Sequence, residues 1–195
     1  MGKIFYLMGK SASGKDSIYR DIVKKMPELQ QIVLYTTRPI RSNETNGVDY
    51  VFVSDERRKE LEQADKIMES RSYNTVHGVW WYFTADEGQF SYEQNYIGIG
   101  TLESFLSLKA YLKEFELVPI YIEVEDGERL QRALKREKRQ EEPKYAEMCR
   151  RFIADQEDFS QDKLEGAGIE KRFLNEKKKV CTKEIVDYVN EVSNL

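Results

Sequence analysis

The sequence is poor in the residues that many catalytic and metal-binding sites require. Its 195 residues include one histidine, His77, and two cysteines, Cys149 and Cys181, which lie far apart along the chain. A single histidine nearly excludes histidine-based catalysis and multi-histidine metal sites, and the cysteine spacing does not fit a metal site. Two free thiols are typical of a cytoplasmic protein, which is the localisation we expect.

Long apolar stretches and linkers are also missing. No run of about 18 apolar residues occurs, so the sequence predicts no membrane span. The N-terminal residues show no signal-peptide pattern, and no internal repeat or linker rich in Pro, Gly or Ser divides the chain. A chain of this length can bury one well-formed core. We therefore expect a single domain over residues 1–195 and no membrane partner.

Charge is distributed unevenly. The formal net charge is −4, which argues against non-specific binding to nucleic acid. Residues 128–151 nevertheless contain nine Lys or Arg and five Asp or Glu. A basic segment in an acidic protein predicts either a local anionic ligand or a solvated helix face, and charge leaves both alternatives open.

A phosphate-binding loop is predicted near the N-terminus. The apolar run Ile4–Met8 indicates a buried strand, and the apolar spacing over residues 18–26 indicates the inner face of a helix. Glycines in the connecting loop permit a tight turn that aims backbone N–H groups at phosphate oxygens, and the helix N-terminus adds to the positive field. We predict that ATP is bound by Gly9, Lys10, Ser11, Ala12, Ser13, Gly14, Lys15, Asp16 and Ser17.

Two residues of this loop have predicted chemical roles. Lys15 supplies a mobile positive charge for the outer phosphates, and we expect it to take part in catalysis. Asp16 stands where Ser or Thr usually follows the lysine, and the hydroxyl comes one place later, at Ser17. We therefore expect Ser17 to be the hydroxyl on the metal side, with Mg²⁺ held partly through water.

Strand-like and helix-like patterns alternate along the rest of the chain. The predicted strands cover residues 31–35, 49–53, 66–69, 73–83, 95–100, 118–124 and 171–175. The predicted helices cover residues 56–64, 102–115, 126–139 and 143–163, and a last helix follows Thr182. A turn is predicted at His77-Gly78. This order predicts an α/β fold with a mainly parallel sheet flanked by helices and a small strand-rich insertion, with ligands at the carboxyl ends of the strands.

The predicted helix over residues 126–139 has two distinct faces. Arg132, Arg136 and Arg139 are spaced i, i+4, i+7 and share one face, while Leu130 and Leu134 fall near the opposite face. We expect the leucines to anchor this helix in the core and the arginines to point outward.

A second anion site is predicted in the insertion. Arg38 and Arg41 lie beside Thr36 and Thr37, and forked guanidinium donors suit a phosphate, to which Tyr50 can add a hydroxyl. From these residues alone, an exposed loop with ordinary surface arginines is the favoured interpretation.

The sequence around these arginines resembles the guanylate kinase family. That family carries Thr-Thr-Arg-x-x-Arg, a Glu, and then Asn/Asp-Gly-x-Asp-Tyr-x-Phe-Val at this distance after its phosphate-binding loop. The corresponding residues here are Tyr35-Thr36-Thr37-Arg38-Pro39-Ile40-Arg41, Glu44 and Asn46-Gly47-Val48-Asp49-Tyr50-Val51-Phe52-Val53. The resemblance covers residues 4 to about 160. It implies a P-loop kinase with a core (1–35, 95–128 and 165–195), an NMP-binding lobe (36–90) and an arginine-bearing helical lid (about 129–160).

The resemblance also implies an activity and roles for individual residues. The activity is phosphoryl transfer from ATP, with Mg²⁺, to a nucleoside monophosphate, most closely GMP, in a monomer or homodimer that binds small nucleotides and no nucleic acid. The Glu69 carboxylate would accept hydrogen bonds from guanine. The acceptor would be bound by Arg38, Arg41, Tyr50, Glu69, Trp81 and Thr84. The lid would supply Arg132, Arg136 and either Arg150 or Arg151, with Arg150 assigned here as catalytic.

Three departures from the family pattern leave alternatives open. Leu34 replaces a small hydroxyl residue, and Gly98 and Gly100 replace both acidic residues of an Asp-x-Asp strand end. Trp81 falls where a phosphate-binding Tyr belongs, unless the strand slips by one residue, in which case Thr84 restores a hydroxyl. A relative that phosphorylates ribose 1,5-bisphosphate shares Gly-Lys-Asp-Ser and also lacks the acidic strand end. A guanylate-kinase-like module that binds proteins without catalysis is the third alternative.

Overall fold

The computed structural model describes residues 2–42, 44–75 and 78–193. The strands are β1 (Lys3–Met8), β2 (Gln30–Gln31), β3 (Tyr35–Thr36), β4 (Val51–Phe52), β5 (Ile67–Thr75), β6 (Gly78–Ala85), β7 (Tyr96–Ile99), β8 (Glu116–Glu123) and β9 (Arg172–Leu174). The helices are α1 (Lys15–Lys25), α2 (Asp55–Gln63), α3 (Leu102–Tyr111), α4 (Asp126–Glu137), α5 (Tyr145–Asp158), α6 (Gln161–Gly166) and α7 (Lys178–Ser193). Among these described residues, no helix has the length and apolar character to cross a membrane.

The main sheet is parallel and has β1 at its centre. Its five strands follow the order β2-β7-β1-β8-β9, and every pairing between them is parallel. Successive side chains of β1 enter two different core clusters: Tyr6 packs with α3, while Phe5 and Leu7 pack with α1 and α7. Burial on both faces explains why β1 is a continuous apolar run. The predicted fold class is confirmed.

The insertion forms a second, four-stranded sheet. Its order is β4-β3-β6-β5, and β5 and β6 form a long antiparallel hairpin. One face of this sheet packs on α2 through a small cluster in which Leu61 meets Tyr35, Phe83 and Ala85. Because side chains alternate along a strand, the opposite face of β6 is left for other contacts.

Several predicted element boundaries are wrong. The single strand over residues 31–35 is divided into β2 and β3, which belong to different sheets, so the chain crosses between the two sheets there. The single helix over residues 143–163 is interrupted at Phe159 and Ser160, because Phe159 is buried and Ser160 is extended at the start of α6. The last helix begins at Lys178, before Thr182. His77, in the predicted turn, lies outside the described residues.

The predicted orientation of α4 is also wrong. This helix buries Arg129 and Ala133, whereas Leu130 and Leu134 are 40% and 37% exposed. The helix ends at Glu137, so Arg139 lies beyond it and does not extend the predicted arginine face. The physical reason is that Arg129 finds carboxylate partners inside the protein, which allows a charged residue to replace leucine on the buried face.

Candidate active site

The segment Gly9–Ser17 forms a tight loop that leads into α1. Ala12 and Gly14 have φ values of 63° and 89°, and Gly14 is the residue that precedes the helix. A Cβ at Gly14 would lie 2.6 Å from the side-chain nitrogen of Asn175, so the position requires glycine for space as well as for conformation. The first N–H groups of α1 have no acceptor within the helix and remain available for an anion, beside the Lys15 ammonium.

Asn175, which the sequence analysis did not single out, supports this loop. The Asn175 side chain is buried and donates a 2.7 Å hydrogen bond to the Ser13 carbonyl. The backbone carbonyl of Asn175 accepts a hydrogen bond from Arg132 at 3.0 Å. The available signal was a polar residue at the end of the strand predicted over residues 171–175. The carboxyl ends of parallel strands share one edge of the sheet, so a residue just after β9 reaches a loop that follows β1.

The first half of the loop is held from the outside by α4 and α5. Lys10 Nζ donates to Gln156 at 2.6 Å, and the Ser11 N–H donates to Asp155 at 2.8 Å. Arg129 Nε donates to the Ser11 carbonyl at 3.0 Å. Lys10 and the Ser11 N–H were both expected to bind ATP, but the structure engages them in contacts with the lid segment.

Ser17, the predicted metal-side hydroxyl, contacts a cation. Lys178 Nζ lies 3.1 Å from Ser17 Oγ and also pairs with Asp21. This ammonium donates a hydrogen bond to the hydroxyl oxygen that was expected to bind Mg²⁺. The neighbouring Asp16 carboxylate is exposed and lies 3.8 Å from Lys15 Nζ. Mg²⁺ is commonly bound by one or two carboxylates together with substrate phosphates, and Asp16 suits that role better than Ser17 does.

Arg38 lies at the centre of the predicted second anion site. It is 4% exposed and makes two hydrogen bonds to the Glu44 carboxylate, at 2.7 and 2.5 Å. Its Nε donates to the Tyr82 hydroxyl at 3.1 Å, and its guanidinium lies 5.0 Å from the centre of the Tyr50 ring. The hydrogen bonds from Arg38, together with a smaller contribution from the backbone N–H of Arg41, lower the pKa of Glu44 to about 2. The Arg41 residue itself is exposed.

The two anion sites are within electrostatic range of one another. Burial is the main cause that raises the pKa of Tyr50, and the carboxylate of Asp16 is among the charges that also raise it. Asp16 lies in the first turn of α1, whereas Tyr50 belongs to the insertion. The start of α1 and the Arg38 site are therefore close enough for their charges to interact, and we call the space between them the cleft.

The alternation of β6 assigns its aromatic residues to opposite faces. Trp81 lies on the α2 side, where the Arg58 guanidinium is 4.4 Å from the centre of its ring. Tyr82 therefore lies on the cleft side and holds Arg38. Thr84, two residues further on, donates to Glu69 at 2.9 Å. This placement does not suit Trp81 as an acceptor ligand. The acceptor-binding position expected for Trp81 is instead assigned to Tyr82. The pairing of β5 with β6 decides which residues face the cleft, and counting residues from the His77-Gly78 turn does not.

The lid arginines do not all lie together. Arg136 and Arg151 line a cavity of about 170 Å³ between α4, α5 and Ser11. Arg150 instead makes two 2.7 Å hydrogen bonds to Glu147 and does not line this cavity. Arg132 is directed toward Glu128 and the Asn175 carbonyl. The structure thus favours Arg151 over Arg150 as the partner of Arg136.

Tyr6 explains the absence of carboxylates at Gly98 and Gly100. A Cβ at Gly98 would lie 2.7 Å from the Tyr6 ring, and a Cβ at Gly100 would lie 2.1 Å from its hydroxyl. These distances are too short for any side chain. The Tyr6 side chain, on β1, therefore fills the space that acidic side chains at positions 98 and 100 would require.

Comparison with known proteins finds a family similarity over the N-terminal part of the chain. Residues 1–84 match the family model described as guanylate kinase. These residues are therefore similar to the guanylate kinase family. They include the phosphate-binding loop, the Arg38 site and most of the β5–β6 hairpin, and they end before the lid helices.

Individual guanylate kinases match over similar segments. The chain is 39% identical over 72 residues to guanylate kinase from Nostoc sp. (strain PCC 7120), covering 37% of this chain and 36% of that protein. It is 44% identical over 55 residues to the enzyme from Syntrophotalea carbinolica, covering 28% and 26%. It is 32% identical over 78 residues to that from Thermotoga maritima, covering 40% and 38%. The chain thus spans between 26% and 38% of the length of these relatives.

The fold similarity extends over nearly the whole chain. The crystal structure of guanylate kinase from Anaplasma phagocytophilum superposes with a TM-score of 0.64 at 18% identity, covering 97% of this chain and 85% of that one. The fold similarity therefore extends to α4, α5 and the C-terminal region, beyond the residues that the family model matches.

Proposed function

We propose that this protein transfers the terminal phosphoryl group of ATP to a nucleoside monophosphate, and that its preferred acceptor is GMP. One observation carries the proposal: the phosphate-binding loop with Lys15 and the second cationic site around Arg38 lie within electrostatic range of one another. A kinase for a phosphorylated acceptor needs one anion site for the donor and one for the acceptor. The similarity to guanylate kinases over residues 1–84 supports the same assignment.

The proposed roles follow from the charges of the reaction. Negative charge is spread over the phosphoryl group during transfer, so positioned cations stabilise the transition state. Lys15 would hold the outer phosphates of ATP, and Arg136 with Arg151 would approach from the lid. Arg38, Arg41, Tyr50 and Tyr82 would orient the acceptor phosphate, which is already anionic at neutral pH and needs no general base.

Mg²⁺ would accompany ATP. We expect the metal to be held mainly by substrate phosphates, with few protein ligands. Asp16 is the carboxylate available to orient its water shell, and the ion would contribute positive charge beside the donor phosphates.

The core, the acceptor lobe and the lid would act together during the reaction. We assign the core to residues 1–35, 95–128 and 165–195, the acceptor lobe to 36–90 and the lid to about 129–160. Closure of the lid would exclude water and suppress hydrolysis of ATP. Arg150 lies within electrostatic range of Tyr73 on the acceptor lobe, as expected for a lid that closes over this cleft.

A coupled assay of ADP formation tests the proposal. GMP, dGMP, AMP, UMP and ribose 1,5-bisphosphate are offered in turn with ATP and Mg²⁺. We expect turnover with GMP, and loss of turnover in Lys15→Ala with an unchanged circular dichroism spectrum. Lys183→Ala is the matched control, since Lys183 is exposed and pairs with Asp187 on α7. Exclusive use of ribose 1,5-bisphosphate, or no turnover of any acceptor, would refute the assignment.

A further inference from the structure

Ser11, in the phosphate-binding loop, is held on both sides by side chains of α4 and α5. Its N–H donates to Asp155 Oδ2 at 2.8 Å, and its carbonyl accepts from Arg129 Nε at 3.0 Å. The N–H and the carbonyl of one residue belong to two consecutive peptide groups. The two contacts therefore fix the orientation of both peptide groups, one before Ser11 and one after it.

The orientation of these peptide groups decides where the loop N–H groups point. The described residues contain no cis peptide bond, and the N–H and C=O of a trans peptide group point in opposite directions. The Lys10 carbonyl, opposite the Ser11 N–H, accepts a hydrogen bond from the Ser13 N–H within the loop at 3.1 Å. In the next peptide group, the Ser11 carbonyl points toward Arg129. The Ala12 N–H therefore points away from α4, toward the interior of the loop.

Ala12 has a backbone conformation that alanine rarely adopts. Its φ is 63°, in the left-handed region, where Cβ crowds the following carbonyl oxygen. Such a conformation persists only when the surrounding structure holds it. The contacts at Ser11 supply that constraint. Without them, the Ser11–Ala12 peptide group is free to rotate, which returns Ala12 to negative φ and turns its N–H out of the loop.

Arg129 acts on the loop through Ser11 and is not itself placed to bind an anion. Its side chain is 1% exposed and donates to Asp126 Oδ1 at 2.6 Å and to Asp155 Oδ2 at 3.1 Å. Two carboxylates more than balance its charge, so none is left for a phosphate. The planar guanidinium reaches these carboxylates and the Ser11 carbonyl with separate N–H groups, a geometry that an ammonium does not reproduce.

We propose that Arg129 and Asp155 are positioning residues for the donor triphosphate, because by holding Ser11 they keep the Ala12 N–H directed at the donor phosphates. Both side chains come from α4 and α5, so the loop has its binding conformation only while these helices pack against it. Loss of the contacts removes one hydrogen bond to a charged group from the donor site. This inference deepens the proposed function, since it assumes that the loop binds the phosphates of ATP.

Binding measurements without phosphoryl transfer test the inference. Isothermal titration calorimetry is used to compare ATP and inorganic tripolyphosphate, each with Mg²⁺, and GMP. Arg129→Lys keeps a positive charge between Asp126 and Asp155, so the variant should fold, but it loses the separate N–H group that reaches Ser11. We expect its affinity for ATP and for tripolyphosphate to fall roughly 10- to 100-fold, and its affinity for GMP to stay unchanged.

Two further variants separate positioning from folding. Asp155→Asn loses the charge but keeps an oxygen that can accept from the Ser11 N–H, so it should lower stability in urea and retain the wild-type affinity for ATP. Arg58→Met removes another buried arginine, which pairs with Asp55 and Glu62 on α2. It should also lower stability without altering the affinity for ATP or tripolyphosphate.

The outcomes distinguish this inference from the proposed function. Binding of ATP and tripolyphosphate that depends on Arg129, without transfer to any acceptor, would support the inference and refute the kinase assignment. Transfer to GMP together with wild-type ATP affinity in Arg129→Lys would overturn the inference alone. Equal losses of ATP affinity in Asp155→Asn and Arg129→Lys would also overturn it, since charge and not the contacts with Ser11 would then be responsible. Failure of the wild type to bind ATP or tripolyphosphate would overturn both.

Discussion

Arg129 and Asp155 form an ion pair beneath the phosphate-binding loop, with 3.1 Å between Nη2 and Oδ2. Both residues also bind Ser11: Arg129 donates to its carbonyl and Asp155 accepts from its N–H. Phe152 covers the guanidinium at 4.7 Å. The pair therefore joins both lid helices, α4 and α5, to the loop expected to hold ATP, so that lid and loop are positioned by the same two side chains.

Removal of one partner from this pair should destabilise the protein strongly. Asp155→Ala leaves the nearly fully buried Arg129 short of a partner, and we expect the free energy of unfolding to fall by about 3–5 kcal/mol. Urea denaturation followed by circular dichroism measures the change. Asp187→Ala removes an exposed partner of Lys183 and should cost no more than about 1 kcal/mol. Equal losses in the two variants would contradict a special role for the buried pair.

Stability should depend on the protonation of Glu44 at acid pH. The pKa of Glu44 is lowered from 4.5 to about 2 in the folded protein, chiefly by Arg38. As the pH falls, the unfolded chain therefore binds the proton before the folded protein does. The contribution of Glu44 to the free energy of unfolding is complete above pH 4.5 and is lost as the pH falls toward 2.

Glu44→Gln isolates this contribution from those of other carboxylates. The difference in unfolding free energy between wild type and variant should be constant above about pH 5 and should shrink between pH 4.5 and 2. Denaturation curves at several pH values supply the comparison. A difference that stays constant down to pH 2 would show that Glu44 does not titrate with the lowered pKa.

The lid arginines should differ in their effect on turnover. Arg136→Ala and Arg151→Ala each remove a cation from the cavity beside Ser11, and we expect kcat to fall on the order of 10³-fold, as for other arginines that stabilise phosphoryl transfer. Arg150→Ala removes a side chain paired with Glu147 outside that cavity and should lower kcat less than about tenfold. Saturating coupled assays give kcat. The reverse order would restore Arg150 as the catalytic residue.

Neighbouring aromatic residues of β6 should act on different properties. Tyr82→Phe deletes the hydroxyl that contacts Arg38, and the KM for the acceptor should rise roughly 10- to 100-fold, as expected for a hydrogen bond to a charged group. Trp81→Phe weakens the contact with Arg58 and should cost about 1 kcal/mol of stability with little change in KM. Steady-state kinetics and thermal denaturation test the two. A raised KM in Trp81→Phe alone would return Trp81 to the acceptor site.

Local patterns predicted much of the fold. The run before Gly9 indicated β1 because a strand buried on both faces must be apolar throughout, and the parallel sheet followed from the alternation of strands and helices. Sequence patterns gave the wrong prediction where a partner from another part of the chain determines whether a side chain is buried. Arg129 is polar in sequence, yet it lies inside because Asp126 and Asp155 approach it from two helices. Leu130 and Leu134 are apolar but remain partly exposed.

By itself, the sequence determined the phosphate-binding loop, the parallel core and the set of residues around Arg38. In each case, chemistry and spacing lie within a short segment, so local geometry follows from residue type. Only the tertiary structure decided that Tyr82 rather than Trp81 faces the cleft, that Tyr6 fills the space above Gly98 and Gly100, and that Arg129 and Asp155 hold Ser11. Strand register and packing between distant segments set these relationships, because a shift of one residue in a hairpin exchanges every side chain between the two faces of a sheet.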